Sequence, residues 1–136
     1  MSATNSIDLL RELCEAISES GARIKSLAER IGTVREQALD QLEVTPYALQ
    51  IQSATIMPLP DSQEPNFVRL TLEKGVPLEA LQQAFGTYRK TPPMPGKPAS
   101  AWFRVETQSS THNAVILVPL DTATPKSVTI RRDMRL

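Results

Sequence analysis

All eleven prolines of this chain lie at or after Pro46, and the first 45 residues contain none. A helix interior rejects proline, because the ring removes a backbone N–H and clashes with the preceding turn. The distribution therefore divides the 136 residues into two unlike parts, a helical element over 1–45 and a separate domain over 46–136. Together they are about one ordinary domain's worth of sequence.

The proline-free part carries a heptad. With Leu10 at position a, the a series reads Leu10, Ile17, Ile24, Ile31 and Ala38, and the d series Leu13, Ser20, Leu27, Val34 and Gln41. β-Branched residues at a with Leu at d suit a parallel two-stranded coiled coil. Asn5 is placed to cap the start, with Asp8 three residues on. Gly21 and Gly32 interrupt the pattern, and Thr33-Val34-Arg35-Glu36 matches a capping box. The heptad phase nevertheless continues through both glycines, which favours one helix from Ile7 to Glu43 over a break at Gly32. The flanking e positions are mostly small or apolar (Cys14, Gly21, Ala28, Leu42), so the stripe is wider than a two-stranded seam. Such a stripe wants a second neighbour, either further helices or the chain's own C-terminal domain.

The proline-bearing part reads as antiparallel α+β. Residues 47–57 alternate, with a change of phase that predicts a bulge near Ser53. Residues 66–73 place Val68, Leu70 and Leu72 on one face. Pro77 opens a short helix over Leu78 to Phe85, and Gly86 stops it. Residues 87–100 hold four prolines and three bases and predict a long loop. Strands follow over 101–107, 113–118 and 126–135. The expected fold class is thus α+β, a long N-terminal coiled-coil helix followed by a small antiparallel domain, in the order α-β-β-α-β-β-β.

From Lys74 onward, the helix Leu78 to Phe85, Gly86, the strand opening at Trp102-Phe103 and the strands around Ile116 and Ile130 resemble the small outer-membrane assembly lipoproteins and β-lactamase-inhibitor-like modules. The resemblance covers less than half the chain and implies only the order of elements there. The lipobox of such lipoproteins is missing.

Several chemistries are disfavoured by composition. One cysteine, Cys14, builds neither an intrachain disulfide nor a thiolate metal cluster. One histidine, His112, makes no multi-histidine site; a catalytic triad would have to join it to Ser109 or Ser110 and Asp121, but it sits in the turn sequence Ser-Ser-Thr-His-Asn, which favours a surface turn histidine. No glycine spacing matches a phosphate-binding loop. No stretch approaches the roughly 18 apolar residues of a membrane span. The N-terminus lacks a secretory signal, so a cytoplasmic location is expected. No cofactor, metal or catalytic residue is expected.

Charge is balanced overall but not locally. Residues 1–43 carry five bases against eight acids, and from Tyr88 onward there are eight bases against three acids. That footprint is too weak to predict nucleic-acid binding. It does single out an anion or partner surface of Arg89, Lys90, Pro92, Pro95, Arg104, Arg131, Arg132 and Arg135. Arg89-Lys-Thr-Pro92-Pro-Met-Pro95 fits a basic polyproline II ligand pattern, against which a proline-stiffened connecting loop is the favoured reading. Arg132 shares the strand face of Ile130, where a charge must be paired, with an acid of the N-terminal helix as the expected partner.

The reading these features support is a non-catalytic, self-associating interaction module. Its homodimer is expected to bury Leu10, Leu13, Ile17, Ile24, Leu27, Ile31 and Val34 between chains, and a further protein partner is left open. A monomeric small-ligand-binding domain, with a cavity between helix and sheet, is the first rival. Weak nucleic-acid or anion binding by the basic C-terminal surface is the second.

Overall fold

The computed structural model of the protein describes residues 5–38 and 41–135, and of 36–38 the backbone alone. Two helices come first, α1 (Ser6–Ser18) and α2 (Ile24–Ile31). Four strands follow: β1 (Gly32–Ala38), β2 (Gln41–Pro46), β3 (Ile51–Pro58) and β4 (Pro65–Leu72). Then come α3 (Leu78–Phe85), β5 (Arg89–Thr91), β6 (Ser100–Val105), β7 (His112–Pro119) and β8 (Ser127–Met134). The strands form one antiparallel sheet in the order β1-β2-β3-β4-β8-β7-β6-β5. The final strand β8 sits in the middle and joins the four-stranded run β1 to β4 to the three-stranded run β7-β6-β5.

The long N-terminal helix is corrected at two points. Asn5 does cap α1, its side-chain oxygen accepting from the Asp8 N–H at 2.8 Å. The helix then ends at Ser18, and Gly21 takes a left-handed φ of 77°. The second helix starts without a side-chain cap; the Gln63 carbonyl in the β3–β4 loop accepts from the Ile24 N–H at 2.7 Å instead. At Gly32 the chain passes straight from helix into strand. A Cβ there would lie 1.9 Å from the Thr45 carbonyl oxygen, so only glycine permits the approach to β2. Thr33 to Glu36 therefore pair with β2 and are no capping box. Residues 39 and 40 of the expected helix lie outside the described residues.

The coiled-coil reading fails for a physical reason. Both short helices lie on the same face of one sheet, so each needs an apolar stripe of helical spacing. Leu10, Leu13 and Ile17 supply it in α1, and Ile24, Leu27 and Ile31 in α2; all six are buried in the chain's own core. The five residues between the helices happen to keep the phase. Cys14 and Ala28, the apolar flank that a two-stranded seam left unexplained, are fully buried in the same core. The broad stripe thus marks packing on the chain's own sheet.

Cross-strand register fixes which residues share that core. Leu42, Ile56, Val68, Ile130, Ile116 and Phe103 form one row across β2, β3, β4, β8, β7 and β6. All are buried, and α1 lies over the β7 and β8 part of the row while α2 covers β1 to β3. Burial of each such side chain stabilises the fold by roughly 1.5–3 kcal/mol. The third helix contributes Leu81, fully buried, beside β6.

The expected order α-β-β-α-β-β-β is corrected too: the sheet has eight described strands, and the strand expected over 47–57 begins only at Ile51, residues 47–50 forming the turn from β2 with Tyr47 and Leu49 exposed. Other local expectations hold. The short helix spans Leu78–Phe85 with Gly86 as its C-cap. The register of β3 on β4 shifts between Ile51 and Ser53, where the change of phase predicts a bulge. The expected long loop contains β5 and a tight hairpin tip, in which Met94 and Lys97 exchange backbone hydrogen bonds of 3.1 and 2.8 Å. With Pro95 and Gly96 (φ 77°) at its centre, the tip is a turn and not polyproline II.

Candidate functional site

Since registered partners in an antiparallel pair point the same way, the core row has a mirror row on the opposite face. One reads Met57, Phe67, Arg131, Val115 and Arg104 across β3, β4, β8, β7 and β6. The next reads Thr55, Arg69, Thr129, Leu117, Trp102 and Arg89. None of the three helices lies on this side: their buried residues all join the core of the other face.

This helix-free face has a definite arrangement. Arg69 and Arg131 are diagonal neighbours on β4 and β8, and Arg89 and Arg104 are diagonal neighbours on β5 and β6. The strand between the two pairs, β7, contributes Val115 and Leu117. Val115 is fully buried although no helix covers it, with Arg131 and Arg104 as its registered neighbours. Strand spacing sets β8 and β6, on either side of it, about 10 Å apart. The aromatic rings stand among the cations: the Arg69 guanidinium lies 5.5 Å from the Phe67 ring centre, and that of Arg89 5.7 Å from Trp102. Among the described residues, none of these four arginines has a carboxylate within ion-pair distance. Like charges brought this close repel unless a counter-charge arrives.

Of the surface expected from sequence, the fold gathers Arg89, Arg104 and Arg131 on this face. Lys90 pairs in register with Ala101 and so points to the opposite side, and Pro92 and Pro95 belong to the exposed hairpin tip beyond β5. Arg132 is separated from Arg104 by the full sheet. Its side chain is 4 % exposed, and it donates to the Glu64 carboxylate at 3.0 Å and to the Glu19 carbonyl at 3.1 Å. It does tie the N-terminal helix to the sheet, but through the backbone at the α1 C-cap, while the carboxylate comes from the β3–β4 loop. Arg135 reaches the Glu106 carboxylate at 3.2 Å and the Thr107 carbonyl at 2.9 Å, fastening the chain's end to the β6–β7 turn. Both are structural.

Arg69 and Phe67 are the residues that sequence reasoning missed. Their signal was present: with Val68, Leu70 and Leu72 on the core face, alternation must put Phe67 and Arg69 on the other. Nothing in the local charge density marks Arg69, because its cationic neighbours come from distant strands.

The expected self-association residues are placed differently. Leu10, Leu13, Ile17, Ile24, Leu27 and Ile31 are inside the molecule, and only Val34, on the edge strand β1, is 38 % exposed. A helix-to-helix interface built on that stripe is not available without unfolding.

Cys14 and His112 are the candidate reactive side chains of the sequence. Burial, followed by the neighbouring Glu15 charge, pushes the Cys14 thiol up to about 12, so it stays protonated at neutral pH. His112 Nδ1 contacts the Thr111 hydroxyl at 2.8 Å, and the Ser109 hydroxyl accepts from the Thr111 and His112 backbone N–H groups. Asp121 follows the far end of the eight-residue strand β7, roughly 25 Å along the strand direction from His112. Among the described residues, no Ser-His-Asp arrangement is assembled around His112. No described helix is long and apolar enough to cross a membrane. Comparison with known proteins finds no matching family model, no matching curated protein and no matching solved structure.

Proposed function

We propose that the protein is a non-catalytic interaction module, acting in the cytoplasm, that docks an acidic protein partner on the helix-free face of its sheet. The observation that carries this reading is the quartet Arg69, Arg89, Arg104 and Arg131, without carboxylate partners among the described residues, around half-buried Phe67 and Trp102. Arginine and aromatic residues are the side chains that most often anchor protein interfaces. Arginine also matches carboxylates with a planar fork of donors. The partner is a different protein from this one: two copies joined face to face would set four guanidinium groups against four. Protein is favoured over single-stranded nucleic acid because each ring already carries an arginine over its face, where a base would have to stack. The chain's balanced charge and pI of 6.6 point the same way.

The test uses labelled poly-L-glutamate as the acidic probe and an oligo-dT strand as competitor, both read by fluorescence anisotropy. Poly-L-glutamate binding is expected at low ionic strength, falling steeply as salt screens the contacts. Arg69→Glu combined with Arg104→Glu is expected to abolish it. Failure of the wild type to bind, or binding that survives the double reversal, overturns the reading. Tighter binding of oligo-dT than of poly-L-glutamate replaces it with the nucleic-acid one.

A further inference from the structure

The other face of the molecule carries an independent pair of features. Between α1, the end of α2 and the β2–β3 turn lies an open groove of about 630 Å³, floored by Leu13, Ala16 and Ile51. Glu12, Glu15 and Glu19 stand along its α1 side, Arg30 of α2 lines it too and is ion-paired with Glu19, and Tyr47, 67 % exposed, stands on the other side. At the β5 edge of the sheet, the hairpin tip over residues 92–98 is exposed throughout and carries Met94 at 65 % exposure. Pro92, Pro93, Pro95 and Pro98 stiffen it, and the Met94–Lys97 turn closes it. Lys90 flanks it and Lys97 lies in it, and no acid occurs between Glu79 and Glu106.

We propose that the protein self-associates by seating the Met94 tip of one copy in the α1–α2 groove of another. Three matches argue for a second copy as the occupant. An apolar, flexible methionine meets an apolar floor beside an exposed tyrosine, and methionine adapts well to such sites. A tip with two lysines, Lys90 and Lys97, meets a groove whose α1 side keeps two acids, Glu12 and Glu15, free of an ion pair among the described residues, Glu19 being paired with Arg30. The tip is already fixed by its prolines and its turn, so little conformational freedom is lost on docking. Tip and groove lie on different parts of the same chain, so the contact is head-to-tail, and it closes as a two-fold dimer where two copies each fill the other's groove. The area of one tip is small, which makes the association weak and concentration-dependent.

Sedimentation velocity of the full chain over a concentration series tests this. Wild type is expected to pass from monomer to dimer in the micromolar range, more weakly at high salt. Met94→Asp and Tyr47→Asp alter exposed side chains and are each expected to weaken association by about tenfold or more, with thermal unfolding unchanged. Glu12→Lys and Lys97→Glu should each weaken it alone. A mixture of the two variants should regain dimer, because one reciprocal contact then pairs reversed charges. A wild type that stays monomeric up to millimolar concentration overturns the proposal. So does a dimer indifferent to both Met94→Asp and Tyr47→Asp, or a mixture that recovers nothing. Because these variants leave the helix-free face intact, poly-L-glutamate binding separates failure here from failure of the acidic-partner reading.

Discussion

Arg132 shows how a single charged residue is tolerated under a helix. Its guanidinium is satisfied by the Glu64 carboxylate and the Glu19 carbonyl, although Nε finds no partner. Glu64 is half exposed, so removing it leaves the buried cation short of its counter-charge while costing little elsewhere. Glu64→Ala is therefore expected to destabilise by about 1–3 kcal/mol. Arg132→Met, which removes the charge and keeps most of the volume, should cost less than that, in line with apolar replacement of buried ion pairs. Urea unfolding of both variants checks the order. Nearby, His112 titrates below its ordinary 6.5, first because burial disfavours the imidazolium and second because Arg132 repels it, while Glu64 and Asp133 act in the opposite sense. A proton taken up more readily by the unfolded chain makes stability rise with pH. The contribution is nil well above 6.5 and becomes a loss as pH falls through that value. His112→Gln should flatten this part of the profile, measured as thermal midpoints between about pH 8 and about pH 5.

Elements differ in how much of them their own residues reveal. The helix α3, the strands β4, β6, β7 and β8 and the bulge in β3 follow local rules of alternation, proline entry and glycine exit, and sequence places all of them. The N-terminal part resists, because two short helices packed on a sheet and one long helix packed on a partner demand the same spacing. The fact that decides between them is the close approach of Gly32 to Thr45, a contact between elements that no window along the chain displays. It yields a contrast. Gly32→Ala drives a Cβ into backbone and should cost about 1–3 kcal/mol or more. Gly21→Ala meets open space and carries only the strain of its positive φ, about 1 kcal/mol. Ile24→Asp distinguishes the two architectures directly. On a coiled-coil helix it would separate chains that remain folded; here it puts a carboxylate in the core, and loss of the cooperative unfolding transition is expected in circular dichroism.

At the scale of the molecule, the sheet separates two surfaces that the chain interleaves. The basic residues after Tyr88 looked like one cluster in sequence, but alternation and the position of β8 distribute them. Arg89, Arg104 and Arg131 face away from the helices, Arg132 faces them, and Lys97 leaves on the hairpin tip. Sequence therefore identified the charges and not their grouping, since grouping depends on strand order and Arg69 joins only through β4. A consequence follows for the two proposed contacts. The open face and the tip-in-groove contact use different side chains, the latter on the helix side and at the β5 edge, and changes that share no partner are expected to combine additively. Arg69→Glu with Arg104→Glu should remove poly-L-glutamate binding and leave the sedimentation profile unchanged, whereas Met94→Asp should do the reverse. The triple variant should lose both, with no further loss of thermal stability beyond the sum of the parts. A dimer dissolved by the arginine reversals would mean that the open face itself joins two copies, and the repulsion between the two arginine quartets would then have to be relieved by a bound anion. Sedimentation in the presence of free glutamate polymer distinguishes these cases, because a bridging anion promotes that dimer and leaves the tip-in-groove dimer as it was.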